Sequence, residues 1–396
     1  MKFNRLEEVN LEGKAVLVRL DLNVPLSDGK ILDDTRIQAS LPTLRYLQSK
    51  HAKIAIMSHL GRPKGKVNSK FSLEPVGERL AEILDCEVVM VNDYHKEPAD
   101  QVLKQLGKNQ IMMFENLRFH AGETANDSEF AQILIKGVDF YVNDAFGAAH
   151  RSHASVVAAP NYLPKDHCFP GYLMTKEIEA LDKLKNSPKV PFTVAIGGAK
   201  VSDKIGVILS LIEKCNHLLI GGAMAYTLLK YKGFRVGTSK VEEDKMDLVE
   251  AIFRNAESRK VAIELPIDHV CAEAFESKTA AVVVNDINIP DHLMGLDIGP
   301  QTIAKYREII KSSSTVLWNG PMGVFEWDAF AKGTTALAEE ISECAGYTVL
   351  GGGESVAAAQ KAGVADKIKH VSTGGGASLE YLEGAHLPGI KALELV

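Results

Sequence analysis

A chain of 396 residues exceeds what one ordinary hydrophobic core supports, so two or three domains are expected. With 46% hydrophobic and 24% charged residues it reads as globular, and neither an apolar leader in "MKFNRLEEVNLEGK" nor a later run of membrane-spanning length is found, which predicts a soluble, cytoplasmic protein. A net charge of −6 argues against bulk attraction to nucleic acid or anionic membrane, and five scattered cysteines without a CxxC pair suggest neither a disulfide framework nor a zinc site.

The strand "AVLVRLDLNVP" opens the chain, and "DDTRIQASLPTLRYLQSK" follows with Ile37, Leu41, Leu44 and Leu47 at helical spacing and Asp33 or Asp34 as a natural N-cap. Next come the strand and turn "AKIAIMSHLGRPKG", a helix from about Ser72 to Asp85, the strand "CEVVMVND" and a weaker helix near 97–106. The strands in "QIMMFENLRF" and "VDFYVNDAFGAAHRSHAS" complete the half. Strands alternating with helices imply a parallel, doubly wound α/β sheet, which binds its ligands beyond the carboxyl ends of its strands. At those ends this half carries Arg19, Arg36, His59, Arg62, Arg118, His150, Arg151 and His153, together with Asp21 and Asn23. Each cation taken alone is a surface or capping residue. Together on one sheet edge they form a positive patch suited to carboxylate or phosphate, which guanidinium grips through two parallel hydrogen bonds. The histidines lack the spacing of a metal site.

Residues 173–186 make a long amphipathic helix, and "NSPKVP" stops it. A second α/β domain follows with different turn chemistry. "FTVAIGGAKVSDKIG", "HLLIGGAMAYTLL", "TVLGGGESVAAAQ" and "KHVSTGGGASLEYL" each run an apolar strand into paired or tripled glycines and then a helical pattern; "TVLWNGPMGVFE" is a looser relative. One such junction is equally a tight turn or a backbone cradle for an anion at a helix start. Their recurrence on one edge favours a phosphate or nucleotide cradle. Neither GxxxxGK[ST] nor GxGxxG is present. A polyanion patch in one domain and a nucleotide-like cradle in the other point to phosphoryl transfer. Two other readings remain: a different acyl-phosphate-forming kinase of a small carboxylic acid, and a hinged module that closes on an anion without chemistry.

In this order, "VRLDLNVP", "SHLGRP", "ENLRF", "VNDAFGAAHR", "GGAKVSDK", "MGLDIGP", "WNGPMGVFE", "GGGES" and "STGGGAS" resemble the phosphoglycerate kinase family across nearly the whole chain. The resemblance implies two Rossmann-like domains: residues 1–172 for phosphoglycerate, an interdomain helix at 173–187, residues 188–380 for nucleotide, and a C-terminal segment at 381–396 returning to the first domain. It implies reversible transfer from 1,3-bisphosphoglycerate to Mg-ADP, in line and after domain closure, by a monomer with small-molecule partners only. Asp21, Asn23, Arg36, His59, Arg62, Arg118 and Arg151 match the family's phosphoglycerate site. Lys200 matches the lysine at the transferring phosphoryl group, with Arg36 and Gly375, flanked by Gly374 and Gly376, as further catalytic positions. Lys204, Gly295, Glu326, Gly352, Gly353, Glu354 and Ser355 match nucleotide contacts, with Glu354 as the magnesium ligand. The family usually has aspartate where this chain has Glu354, one methylene longer.

Overall fold

The computed structural model describes residues 2–93 and 99–395, so the first two residues of the helix expected at 97–106 lie outside the described residues and the remainder forms Ala99–Gln105. The chain divides into two compact units, one running to Glu179 and resuming at His386, the other spanning Ala180–Ala385. Helix Tyr172–Asn186 carries the chain from the first to the second.

In the first unit six parallel strands lie in the order Glu87–Val91, Gln110–Phe114, Lys53–Met57, Ala15–Arg19, Phe140–Asn143, Cys168–Pro170. The strand Ala15–Arg19 is buried along its whole length because helices cover both faces of the sheet. Val16 and Val18 pack on one face with Leu41, Leu44 and Leu47, whereas Ala15 and Leu17 pack on the other with Phe130 and Leu134. The former three leucines belong to helix Thr35–Ser49, which tolerates Pro42 in its interior. A helical proline costs about 3 kcal/mol. Ile37, Leu41, Leu44 and Leu47 are at most 4% exposed and regain about 1.5–3 kcal/mol each, so burial outweighs the broken bond. The C-terminal residues belong to this unit: Leu393 is buried beside Leu17, Gly389 N–H donates to the Ala149 carbonyl at 2.8 Å and Lys165 Nζ donates to the Ala392 carbonyl at 2.8 Å.

The second unit's parallel sheet runs Ala262–Glu264, His217–Ile220, Phe192–Ile196, Thr315–Asn319, Tyr347–Gly351, His370–Val371. Numbered within the unit this is the 3-2-1-4-5-6 order of doubly wound nucleotide-binding sheets. Both units thus have the expected doubly wound parallel fold. The second unit runs to Ala385 and so includes the whole of helix Gly376–Leu382, whose Ala377, Ser378, Tyr381 and Leu382 are buried. A small antiparallel sheet of Val282–Val284, His269–Ala272 and Met294–Ile298 was not foreseen from the sequence. Its strands are only three to five residues long, too short for a clear alternation.

Candidate functional site

The first unit's strand order reverses beside Ala15–Arg19, and the turns after its strands carry the predicted cations. Asp21 and Asn23 lie in the turn just after Arg19, separated from it and from each other by Leu20 and Leu22. Asn23 Oδ1 accepts from Gly61 N–H at 2.8 Å, which ties this turn to "SHLGRP". Asp21 Oδ2 accepts from Arg36 Nη1 at 2.5 Å, an ion pair bridging the first strand's turn and the helix after it. The expected N-cap at that helix differs in detail. Asp34 precedes the helix without a side-chain cap bond, while Asp33 Oδ1 accepts from Thr35 N–H at 2.9 Å.

Arg118 Nη1 donates to the Gly61 carbonyl at 2.8 Å, and its Nε, shielded from solvent, has no hydrogen-bond partner. Burial, then Arg19 and Arg62, pull the Arg118 guanidinium down to about 10. His59 is 5% exposed; burial first, then Arg19, Arg118, His153 and Arg36, hold it well below the ordinary imidazole range. His153 is lowered to about 4 by burial and then by Arg118, Arg19, Arg151 and His150. Arg62 and Arg151 are exposed and have no ion-pair partner among the described residues. Arginines from four separate turns thus bear on Arg118, His59 and His153, whose protonation is lowered first by burial and then by these charges. Such an arrangement is relieved by an anion.

The second unit's order reverses between Phe192–Ile196 and Thr315–Asn319, and there the glycines permit close backbone approach. A Cβ on Gly197 would stand 1.9 Å from the Pro321 carbonyl oxygen, and one on Gly222 would stand 2.5 Å from Gly198 N. Any side chain would force these turns apart. They border a cleft of about 480 Å³ lined by residues that include Gly198, Gly222, Phe275, Gly295, Glu326 and Glu354. A larger hollow of about 640 Å³, lined in part by Lys183, Lys189, Thr315 and Tyr347, lies at the amino ends of the strands. Sheets of this kind bind at the carboxyl ends, so the smaller cleft is the candidate.

Gly295 N–H donates to Ser239 Oγ at 2.9 Å, and a Cβ there would collide with the Tyr226 hydroxyl at 2.1 Å. Gly352 adopts φ +89°, a conformation that favours glycine, and starts helix Gly353–Lys361. Glu354 and Glu326 are exposed at the cleft. Ser355 is fully buried, and its Oγ accepts from Gly320 N–H at 2.5 Å, so this hydroxyl joins two glycine turns. Gly374, Gly375 and Gly376 lead into helix Gly376–Leu382, with Gly374 N–H donating to Ser372 Oγ at 3.2 Å.

Lys200 does not begin a helix: the next helix starts at Ile205, and Lys200 stands exposed in the loop between. Glu242 pins that loop, accepting from Val201 N–H at 2.6 Å, Ser202 N–H at 3.2 Å and Ser202 Oγ at 2.6 Å. Lys204 Nζ donates to Asn319 Oδ1, and burial lowers its pKa against the pull of Glu354, Asp203 and Glu383.

Three contributors escaped the sequence reading. Glu242 sits in the acidic run "VEED", which resembles a solvated face. Phe275 lies in "CAEAFESK" with no local signal. Glu123 follows "FHAG" like an ordinary helix-start acid, yet it is fully buried. Of these, only an acid beside apolar helix positions could have hinted at burial.

A family model described as phosphoglycerate kinase matches residues 6–385. Curated phosphoglycerate kinases are similar over the full length of both chains, at 47% identity for that of Borrelia duttonii and 48% for that of Anaeromyxobacter dehalogenans. Among solved structures, the phosphoglycerate kinase of Coxiella burnetii aligns with TM-score 0.90 and 37% identity over 99% of each chain. That of Pyrococcus horikoshii aligns with TM-score 0.84 and 36% identity over 98% of each. The chain belongs to the phosphoglycerate kinase family, the kinases that pass a phosphoryl group between 1,3-bisphosphoglycerate and ADP.

Proposed function

We propose that the basic edge of the first unit seats the phosphoglycerate through Asp21, Asn23, Arg36, His59, Arg62, Arg118 and Arg151, and that the glycine-rich edge of the second seats the adenine nucleotide. The observation that carries the first half is the gathering of like-charged arginines about Arg118, which Arg19 and Arg62 disfavour, with Arg62 and Arg151 exposed and unpaired among the described residues. The second half rests on the cleft holding Gly295, Glu326 and Glu354 beside turns too tight for side chains. Gly352 and Gly353 bring backbone N–H groups to the nucleotide phosphates, with Lys204 beside them and Ser355 holding the turn.

Phosphoryl transfer asks a protein mainly for positioning and for neutralisation of charge on the equatorial oxygens. Lys200, Arg36 and the backbone at Gly375 supply that. The acceptor or leaving group is a carboxylate, so no general base is required. Each unit holds one ligand, and transfer in line follows closure of the units, which also keeps water from the acyl phosphate.

Magnesium is part of this reading. Among the described residues no three His, Cys, Asp or Glu side chains group as a metal cage. A single exposed carboxylate still fits, because magnesium keeps several waters and is commonly held by one or two carboxylates together with substrate phosphates. Glu354 would hold the ion, directly or through water, and the ion would supply charge neutralisation at the nucleotide phosphates. We further read the protein as a cytoplasmic monomer.

Separate titrations test the assignment. Arg62→Ala with Arg151→Ala should weaken 3-phosphoglycerate binding and leave Mg-ADP binding unchanged, whereas Glu326→Ala should do the reverse. Loss of both ligands from either variant, or of neither, overturns the placement.

A further inference from the structure

The first unit contains a buried acid, a buried hydroxyl and a buried guanidinium in series, none of them in the seven-residue substrate set. Glu123 and Arg19 are both fully buried, and Ser155 stands between them. Ser155 Oγ donates to Glu123 Oε1 at 2.7 Å and accepts from Arg19 Nε at 2.8 Å, while Ser155 N–H donates to Glu123 Oε2 at 2.9 Å. Arg19 Nη1 donates to the Leu20 carbonyl, and Nη2 lies 3.1 Å from His59 Nδ1. Every nitrogen of this guanidinium is thereby committed.

A guanidinium only donates hydrogen bonds. The contact with His59 is therefore a bond only if Nδ1 is the unprotonated acceptor, which leaves the ring proton on Nε2. That nitrogen has no protein partner among the described residues. In the opposite tautomer a lone pair would occupy Nε2 and face the anion that the neighbouring cations attract.

We propose that the Glu123–Ser155–Arg19 series is a positioning device that locks His59 as the neutral Nε2–H tautomer and so makes its ring a hydrogen-bond donor to the phosphoglycerate. The donor role rests on the site assignment above; the lock does not. Glu123 offsets the buried charge of Arg19 through the serine hydroxyl and fixes the guanidinium's orientation. A lysine at position 19 could not hold Ser155, Leu20 and His59 at once, because it lacks the planar fork.

The test is long-range nitrogen–proton NMR of the histidine rings in the full chain, with His59→Gln to assign the His59 signals. Before any ligand is added, the wild type should show a bare Nδ1 and a protonated Nε2 at neutral pH. An imidazolium or an Nδ1–H ring overturns the lock. Ser155→Ala removes only the hydroxyl; it should let the second tautomer appear and weaken 3-phosphoglycerate binding about tenfold, the loss of a hydrogen bond to a charged group. ADP affinity should stay unchanged, and KM for phosphoglycerate should move more than kcat. If that variant does not fold, Glu123→Gln, close in shape, is read in the same way. A folded variant with unchanged tautomer and affinity overturns the proposal. Saturating the wild type with 3-phosphoglycerate tests the site assignment separately. An unmoved Nε2–H signal there refutes the donor role together with that assignment, while the tautomer measured without ligand decides the lock.

Discussion

Arg36 and Asp21 are joined at 2.5 Å, with the carboxylate side chain 9% exposed and the guanidinium side chain 33% exposed. No acid stands at helical spacing toward Gln38 to Ser40, so helical pattern alone leaves this arginine unpaired. Its partner comes from the turn after the first strand. The pair holds the guanidinium still while leaving one edge of it accessible, which suits a group that must meet a transferring phosphoryl without reorganising. Arg36→Ala should nearly abolish transfer. Activity within about threefold of wild type, a barrier change under ~1 kcal/mol, would refute the role. The same variant leaves Asp21 short of a partner and should cost about 1–3 kcal/mol in urea unfolding.

Lys200 is expected to act in the transition state. Lys200→Ala should lower kcat far more than it weakens ATP binding, since an interaction realised only at the transition state appears in kcat. Retained kcat with lost ATP affinity contradicts this. Glu242 supplies a second handle because it holds the backbone immediately after Lys200. Glu242→Gln should reduce kcat by up to about a hundredfold through misplacement of the loop, with ADP affinity nearly intact. A kcat equal to wild type would show that the loop holds its shape without the carboxylate.

Glu354 follows the glycines that start helix Gly353–Lys361 and lines the cleft. Glu354→Gln should raise the magnesium concentration needed for half-maximal activity, and Glu354→Asp should be tolerated. An unchanged magnesium dependence in the glutamine variant would leave the residue only its favourable interaction with the helix dipole, worth about 0.3–1 kcal/mol.

His153 gives a pH dependence of stability. Its ordinary pKa of 6.5 falls to about 4 in the fold, chiefly through burial. Below pH 6.5 the unfolded chain takes up a proton that the folded chain refuses. The stability that the neutral His153 contributes should therefore be fully present above pH 6.5 and be lost as pH falls toward 4, with a slope of at most about 1.4 kcal/mol per pH unit for this one proton. His59 acts in the same direction. His153→Asn should shrink the difference between the urea midpoints measured at pH 7 and pH 5. Equal differences in variant and wild type would exclude His153 as a contributor.

The residue pattern alone determined the alternation of strands and helices, the two-domain α/β organisation and the contrast between cationic turns in one half and glycine turns in the other. These are local signals: apolar spacing, breakers and turn chemistry act within a dozen residues. The linear motifs likewise carried the family, because their order and spacing survive without any knowledge of contacts. What the tertiary structure decided is which groups meet. Ser155 stands 136 residues from Arg19, and Glu242 stands 40 residues from Ser202. Sheet order brings such pairs together, and nothing in the local sequence of either partner encodes the other. Burial decided the rest. Glu123 and Ser355 have the composition of ordinary helix starts, yet each is fully enclosed. A buried polar group must find a partner or cost about 1–3 kcal/mol, so enclosure obliges Glu123 to bind Ser155 and Ser355 to bind the Gly320 turn, whereas at the surface water would have satisfied both.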